Sequence, residues 1–135
     1  MQPVRASRGV WLDLKAFALA AAVLLSGCRS QPSAKEIYMR CEITPQPVRV
    51  GPARILLTLS RAGEPVNGAT VTLEGNMTHA GMAPIFSKAA PAGPGQYADV
   101  LDFTMPGDWV LSVHAKLPGG AVIEQRIPVK GVEAR

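Results

Sequence analysis

The chain has 135 residues, 47% of them apolar and 18% charged, with 12 prolines, 13 glycines and a formal net charge of +4. That length holds one domain, the apolar content excludes a disordered chain, and the abundance of turn-formers argues against long helices. The charge does not indicate nucleic-acid binding. Beyond residue 27 there remain 11 basic and 9 acidic residues, with no basic run and no basic patch interleaved with aromatics.

The first segment reads as an address. Arg5, Arg8 and Lys15 precede an unbroken apolar run of ten residues, Ala16–Leu25. Ten residues are too few to cross a bilayer as a helix, which needs about 20, but they suit the core of a signal peptide. Leu25-Ser26-Gly27-Cys28 follows at once and resembles the lipobox of bacterial lipoproteins. The resemblance implies that residues 1–27 are a signal peptide and that Cys28 is lipidated and becomes the new N-terminus. Residues 28–36 are then the lipidated cysteine and a polar tether to the membrane. Position 29 is Arg and not Asp, so the retention signal of some Gram-negative lipoproteins is missing. The expected location is extracytoplasmic and lipid-anchored, on the outer membrane or periplasmic face in a Gram-negative envelope.

From residue 37 to 131 the signal is period-2 alternation broken by turn chemistry. Strands are expected near 37–43, 53–60, 69–74, 96–105, 108–116 and 121–129. Thr44-Pro45-Gln46-Pro47, Asn67-Gly68, Pro106-Gly107 and Pro118-Gly119-Gly120 separate most of them. Between residues 75 and 96 the pattern lapses, and Ala89–Gly95 reads as loop by composition. Short strands at this spacing, without a convincing helix, predict an antiparallel β-sandwich of about seven strands.

The long connection carries the distinctive chemistry. In Gly75-Asn76-Met77-Thr78-His79-Ala80-Gly81-Met82-Ala83-Pro84, two methionines and a histidine fall within six residues. Thioether sulfur with imidazole nitrogen is a soft donor set that selects Cu(I) over hard cations. Residues i and i+2 of an extended segment share a face, so Met77 and His79 point the same way. Gly81 allows the fold-back that brings Met82 round. Met77, His79 and Met82 are therefore the candidate metal ligands. Met105 is a candidate fourth donor if its turn lies at the same end, although its parity with Phe103 places it in the core.

Three stretches support a family resemblance: Gly63-Glu64-Pro65-Val66-Asn67-Gly68-Ala69, the run Met77–Pro84, and Gly95-Gln96-Tyr97 leading to Phe103-Thr104-Met105-Pro106-Gly107-Asp108-Trp109. Together they resemble the YtkA-like domain family, which overlaps with FixH-like proteins. The resemblance implies a small Ig-like β-sandwich facing the cell exterior or periplasm. Its FixH-like side implies copper handling, with an envelope copper-transfer or oxidase-assembly partner. FixH-like members usually have a transmembrane anchor, and this chain has a lipobox in its place.

Other residues have plainer readings. Cys41 alternates with Met39 and Ile43 and reads as a small buried hydrophobe, the alternative being a soft ligand or redox-active thiol. His114 shares a face with Val110, Ser112 and Lys116, a solvated strand face, and Trp109 reads as a core plug. No Ser or Cys nucleophile has a recognisable His and acid arrangement, no Gly-rich phosphate motif follows a strand, and no zinc-type spacing occurs. The chain is expected not to be an enzyme. The leading expectation is a membrane-anchored, extracytoplasmic Cu(I)-handling module. The alternative is a metal-free Ig-like structural or protein-interaction module of the cell envelope.

Overall fold

Alternation in the sequence becomes strand in the structure, a computed structural model that describes residues 36–135. The expected signal peptide (1–27), Cys28 and the tether as far as residue 35 lie outside the described residues. Eight strands follow in order: β1 (Ile37–Thr44), β2 (Gly51–Arg61), the short β3 (Glu64–Pro65), β4 (Thr70–Met77), β5 (Ile85–Gly93), β6 (Gln96–Phe103), β7 (Gly107–Lys116) and β8 (Val122–Val132). Among the described residues there is no α-helix. Apart from an isolated parallel bridge between Arg49 and Glu133, all pairing is antiparallel. Seven long strands and one short one form the expected sandwich.

The strand path β1-β2-β6-β5-β4-β7-β8 is a single curled sheet folded onto itself at β5. Residues Ile85–Ala89 of β5 pair with β4, whereas Ala90–Gly93 pair with β6. One strand thus passes from one layer to the other. Ile55, Leu57 and Leu59 of β2 and Leu101 and Phe103 of β6 share one core with Val71 and Leu73 of β4 and Leu111 and Val113 of β7, all fully buried. Phe103 and Trp109 meet edge to face, with centroids 5.4 Å apart, and join the two layers where the chain turns between them. Such a contact adds about 0.5–1.5 kcal/mol beyond area burial. Among the described residues the core runs from Met39 to Val132.

The strand β5 corrects the expected 75–96 loop. Its first half does alternate, but with Ser87 and Ala89 turned inward and Phe86 and Lys88 outward, the reverse of the hydrophobic pattern sought in a sequence. Its second half contains Pro91, which has no N–H for a ladder bond, and the register slips between Pro91 and Gly93. The irregularity falls where the strand changes layer, and there a strand tolerates proline. The true connection is only the seven residues 78–84, and a two-residue turn, Pro94-Gly95, joins β5 to β6.

Register fixes which connections share a rim of the sandwich. The 45–50, 78–84 and 104–106 connections and the C-terminal residues gather at one rim. There Val50 and Glu133 are joined by Val50 N–H to the Glu133 carbonyl at 2.8 Å. The 62–69, 94–95 and 117–121 connections gather at the other, where β1 also begins. The stretches that suggested the family meet at these rims. At the second rim the Tyr97 hydroxyl donates to the Val66 carbonyl (2.7 Å) and accepts from Ala69 N–H (3.0 Å), while Gly95 N–H donates to Asn67 Oδ1 at 2.7 Å. At the first rim the Met77–Pro84 run meets the turn before Trp109.

Candidate metal centre

Strand parity continues through the end of β4. Val71, Leu73 and Gly75 face inward, and Met77 closes the row half-buried against the core. Met77 lies opposite Trp109 on β7. Its methyl carbon reaches Gly107, where a Cβ would stand only 3.2 Å from it and where φ is +124°. A side chain at 107 would crowd the methionine, so glycine there is set by both backbone and packing.

Beyond Met77 the chain leaves the sheet but stays tied to β7. The Asp108 carbonyl accepts from Thr78 N–H at 3.0 Å and from the Thr78 hydroxyl at 3.2 Å. The Asp108 carboxylate accepts from Gly131 N–H at 2.8 Å, anchoring β8 to the same point. From this clamp the 78–84 loop projects into solvent, with His79 fully in its exposed part and Met82 38% exposed. The predicted ligands thus divide into one half-buried thioether at the strand end and two exposed donors on the loop that springs from it. Gly81 adopts φ +93°, the left-handed conformation that turns the loop back.

Met105 departs from its parity expectation. β6 ends at Phe103, so Met105 falls in the 104–106 connection and its side chain is 43% exposed, while Phe103 and Trp109 on either side are buried. The signal was present in the sequence: Pro106 has no N–H to donate to a ladder, so a strand tends to end before it. Met39 is core, 8% exposed. Three of the four methionines in the described chain therefore stand at one rim.

The remaining candidates sit elsewhere. Cys41 lies mid-strand in β1 opposite Leu57, half-buried against the core and unpaired among the described residues. Burial, and secondarily the Glu42 carboxylate beside it, push its thiol up to about 11. It is a thiol and not a thiolate at neutral pH, which suits a small hydrophobe better than a ligand or nucleophile. His114 is half-buried on the outer face of β7, with Nε2 3.8 Å from Glu74 and Nδ1 3.8 Å from Glu124. Among the described residues no three His, Cys, Asp or Glu side chains are grouped so as to hold a metal ion. Met77, His79, Met82 and Met105, at the first rim, are soft donors of a different chemistry.

The model of the family described as YtkA-like matches residues 35–114, which run from just before β1 into β7. The chain belongs to the YtkA-like family. No curated protein matches the sequence. Among solved structures, a superoxide reductase (neelaredoxin) from Ignicoccus hospitalis is similar in fold. It shows 13% identity and a TM-score of 0.52 over 78% of this chain and 89% of that one. A single-substitution form of the same protein gives 13% identity and 0.50 over 74% and 82%. At that identity the likeness is one of fold alone, an all-β sandwich. In this YtkA-like domain the stretches typical of the resemblance occupy two places, the Tyr97 corner that holds one rim together and the methionine-bearing rim opposite.

Proposed function

We propose that this YtkA-like domain is a lipid-anchored, extracytoplasmic carrier of Cu(I), which it holds through Met77, His79 and Met82. The reading is supported chiefly by the placement of these donors: a half-buried thioether at the end of β4 and, on the loop clamped to Asp108, an imidazole and a second thioether open to solvent. Neutral, soft donors suit a monovalent soft ion and bind it without the charge of a carboxylate cage. Exposure of two of the three would let a partner with more or stronger donors approach the cargo and take it over stepwise. An envelope copper-transfer or oxidase-assembly protein is the kind of partner this suits. β1 begins at the rim opposite the methionines.

In this proposal the domain carries its ion and does not turn over a substrate. Cys41, whose thiol is pushed up to about 11, offers no ready nucleophile. The test is a titration of the soluble segment 29–135, which contains every described core residue, with Cu(I) against a chromophoric chelator. A triple variant combining Met77→Leu, His79→Ala and Met82→Ala is run alongside. Leucine keeps the packing against Gly107 while removing sulfur. Tight binding by the native protein and its loss in the variant are expected. Equal weak binding by both would leave the metal-free interaction module as the better account.

A further inference from the structure

The geometry points to a fourth donor on a separate segment: we infer that Met105 supplies a thioether to the same ion, so that the site spans two connections. The inference rests on the Cu(I) reading above and adds a residue to it. Three observations carry it. Met105 lies outside the strand and is 43% exposed, although its neighbours Phe103 and Trp109 are at most 1% exposed. Its connection leads straight into Gly107, where an added Cβ would stand 3.2 Å from the Met77 methyl, and into Asp108, whose carbonyl takes both Thr78 hydrogen bonds. Its backbone is also fixed, because the buried Trp109 indole Nε1 donates to the Met105 carbonyl at 3.0 Å.

A single exposed methionine needs no explanation. Here the exposed one stands on a turn pinned from below by a buried indole, beside the clamp from which the Met77–Met82 loop departs. The turn presents its sulfur from a fixed backbone, and the loop contributes the adaptable donors. Binding then draws the loop against the turn. Cu(I) tolerates three or four soft ligands, so the fourth donor strengthens the hold without changing the class of ion. It also accounts for an apolar, oxidisable side chain at a turn position where a polar residue would serve folding equally well.

The test uses the soluble segment labelled with ¹³C at the methionine methyls and Ag(I) as a redox-inert stand-in for Cu(I). Met39, in the core, serves as the internal check that the fold is intact. The methyl resonances of Met77, Met82 and Met105 are expected to shift together while that of Met39 stays in place. Met105→Leu should weaken binding by at least about tenfold, the lower end of what disturbing a metal site's supporting contacts costs. If Met77 and Met82 shift while Met105 does not, and Met105→Leu binds like the native protein, the fourth-donor inference fails and the three-residue site stands. If none of the three shifts, both fail.

Discussion

Tyr97→Phe removes one oxygen atom and keeps the ring, which is 2% exposed at the heart of the second rim. That oxygen holds two backbone groups of the β3–β4 connection, donating to the Val66 carbonyl at 2.7 Å and accepting from Ala69 N–H at 3.0 Å. Each bond contributes about 1 kcal/mol net, and leaving part-buried partners unpaired adds to the loss, so the variant should be about 2–3 kcal/mol less stable. For a domain near 100 residues each 1 kcal/mol moves the melting temperature by about 4–8 °C, so a fall of roughly 10–20 °C is expected. Urea unfolding of segment 29–135 measures it directly, followed by fluorescence of Trp109, the only tryptophan after residue 28. The slope of the transition should not change, because the core is untouched. A loss below about 0.5 kcal/mol, less than one ordinary hydrogen bond, would show that the hydroxyl does not hold that connection in place.

Two further predictions concern the same body. Gly95→Ala places a Cβ 2.6 Å from the Leu59 carbonyl oxygen and 2.9 Å from the Pro65 Cβ, at a residue with φ +64° whose own N–H and carbonyl are both hydrogen-bonded. The backbone oxygen cannot swing away as a side chain could, so the substitution should cost more than about 2 kcal/mol, as overpacking and a strained turn do together. Native-like stability in thermal melts would refute that packing. Cys41 should react slowly with a thiol-specific reagent at pH 7. With its thiol pushed up to about 11 from 9.0, the thiolate fraction is about a hundredfold below that of an unperturbed thiol. Because the folded value lies above the unfolded one, this group favours the native state below pH 9 and withdraws that support as pH rises from 9 toward 11. Cys41→Ala should flatten that part of the stability profile, and an unchanged slope would contradict the assignment.

Most of the sandwich was legible because one face of each strand is buried and the other wet. In β2 the alternation of Ile55, Leu57 and Leu59 with Arg54, Thr58 and Ser60 matches the burial residue by residue. The strand β5 was not legible, because it changes layer midway. Half-way along, the face that must be apolar is handed over, and proline is tolerated at the handover. At the candidate site the loop donors stood out as composition, since methionine and histidine are conspicuous among small turn residues. Met105 did not, because extending β6 two residues too far turned an exposed rim residue into a core one. Its proline neighbour held the correction. The clamp from Asp108 to Thr78 was invisible in sequence, since it is a backbone carbonyl meeting a strand end 30 positions away.

X-ray absorption of the Cu(I)-loaded soluble segment tests the central claim most directly, because it reads the atoms bound to the ion. A first shell dominated by sulfur with one imidazole nitrogen is the predicted spectrum, with the nitrogen contribution lost in His79→Ala. A shell of oxygen and nitrogen without sulfur would contradict the thioether rim and with it the proposal that this sandwich carries copper.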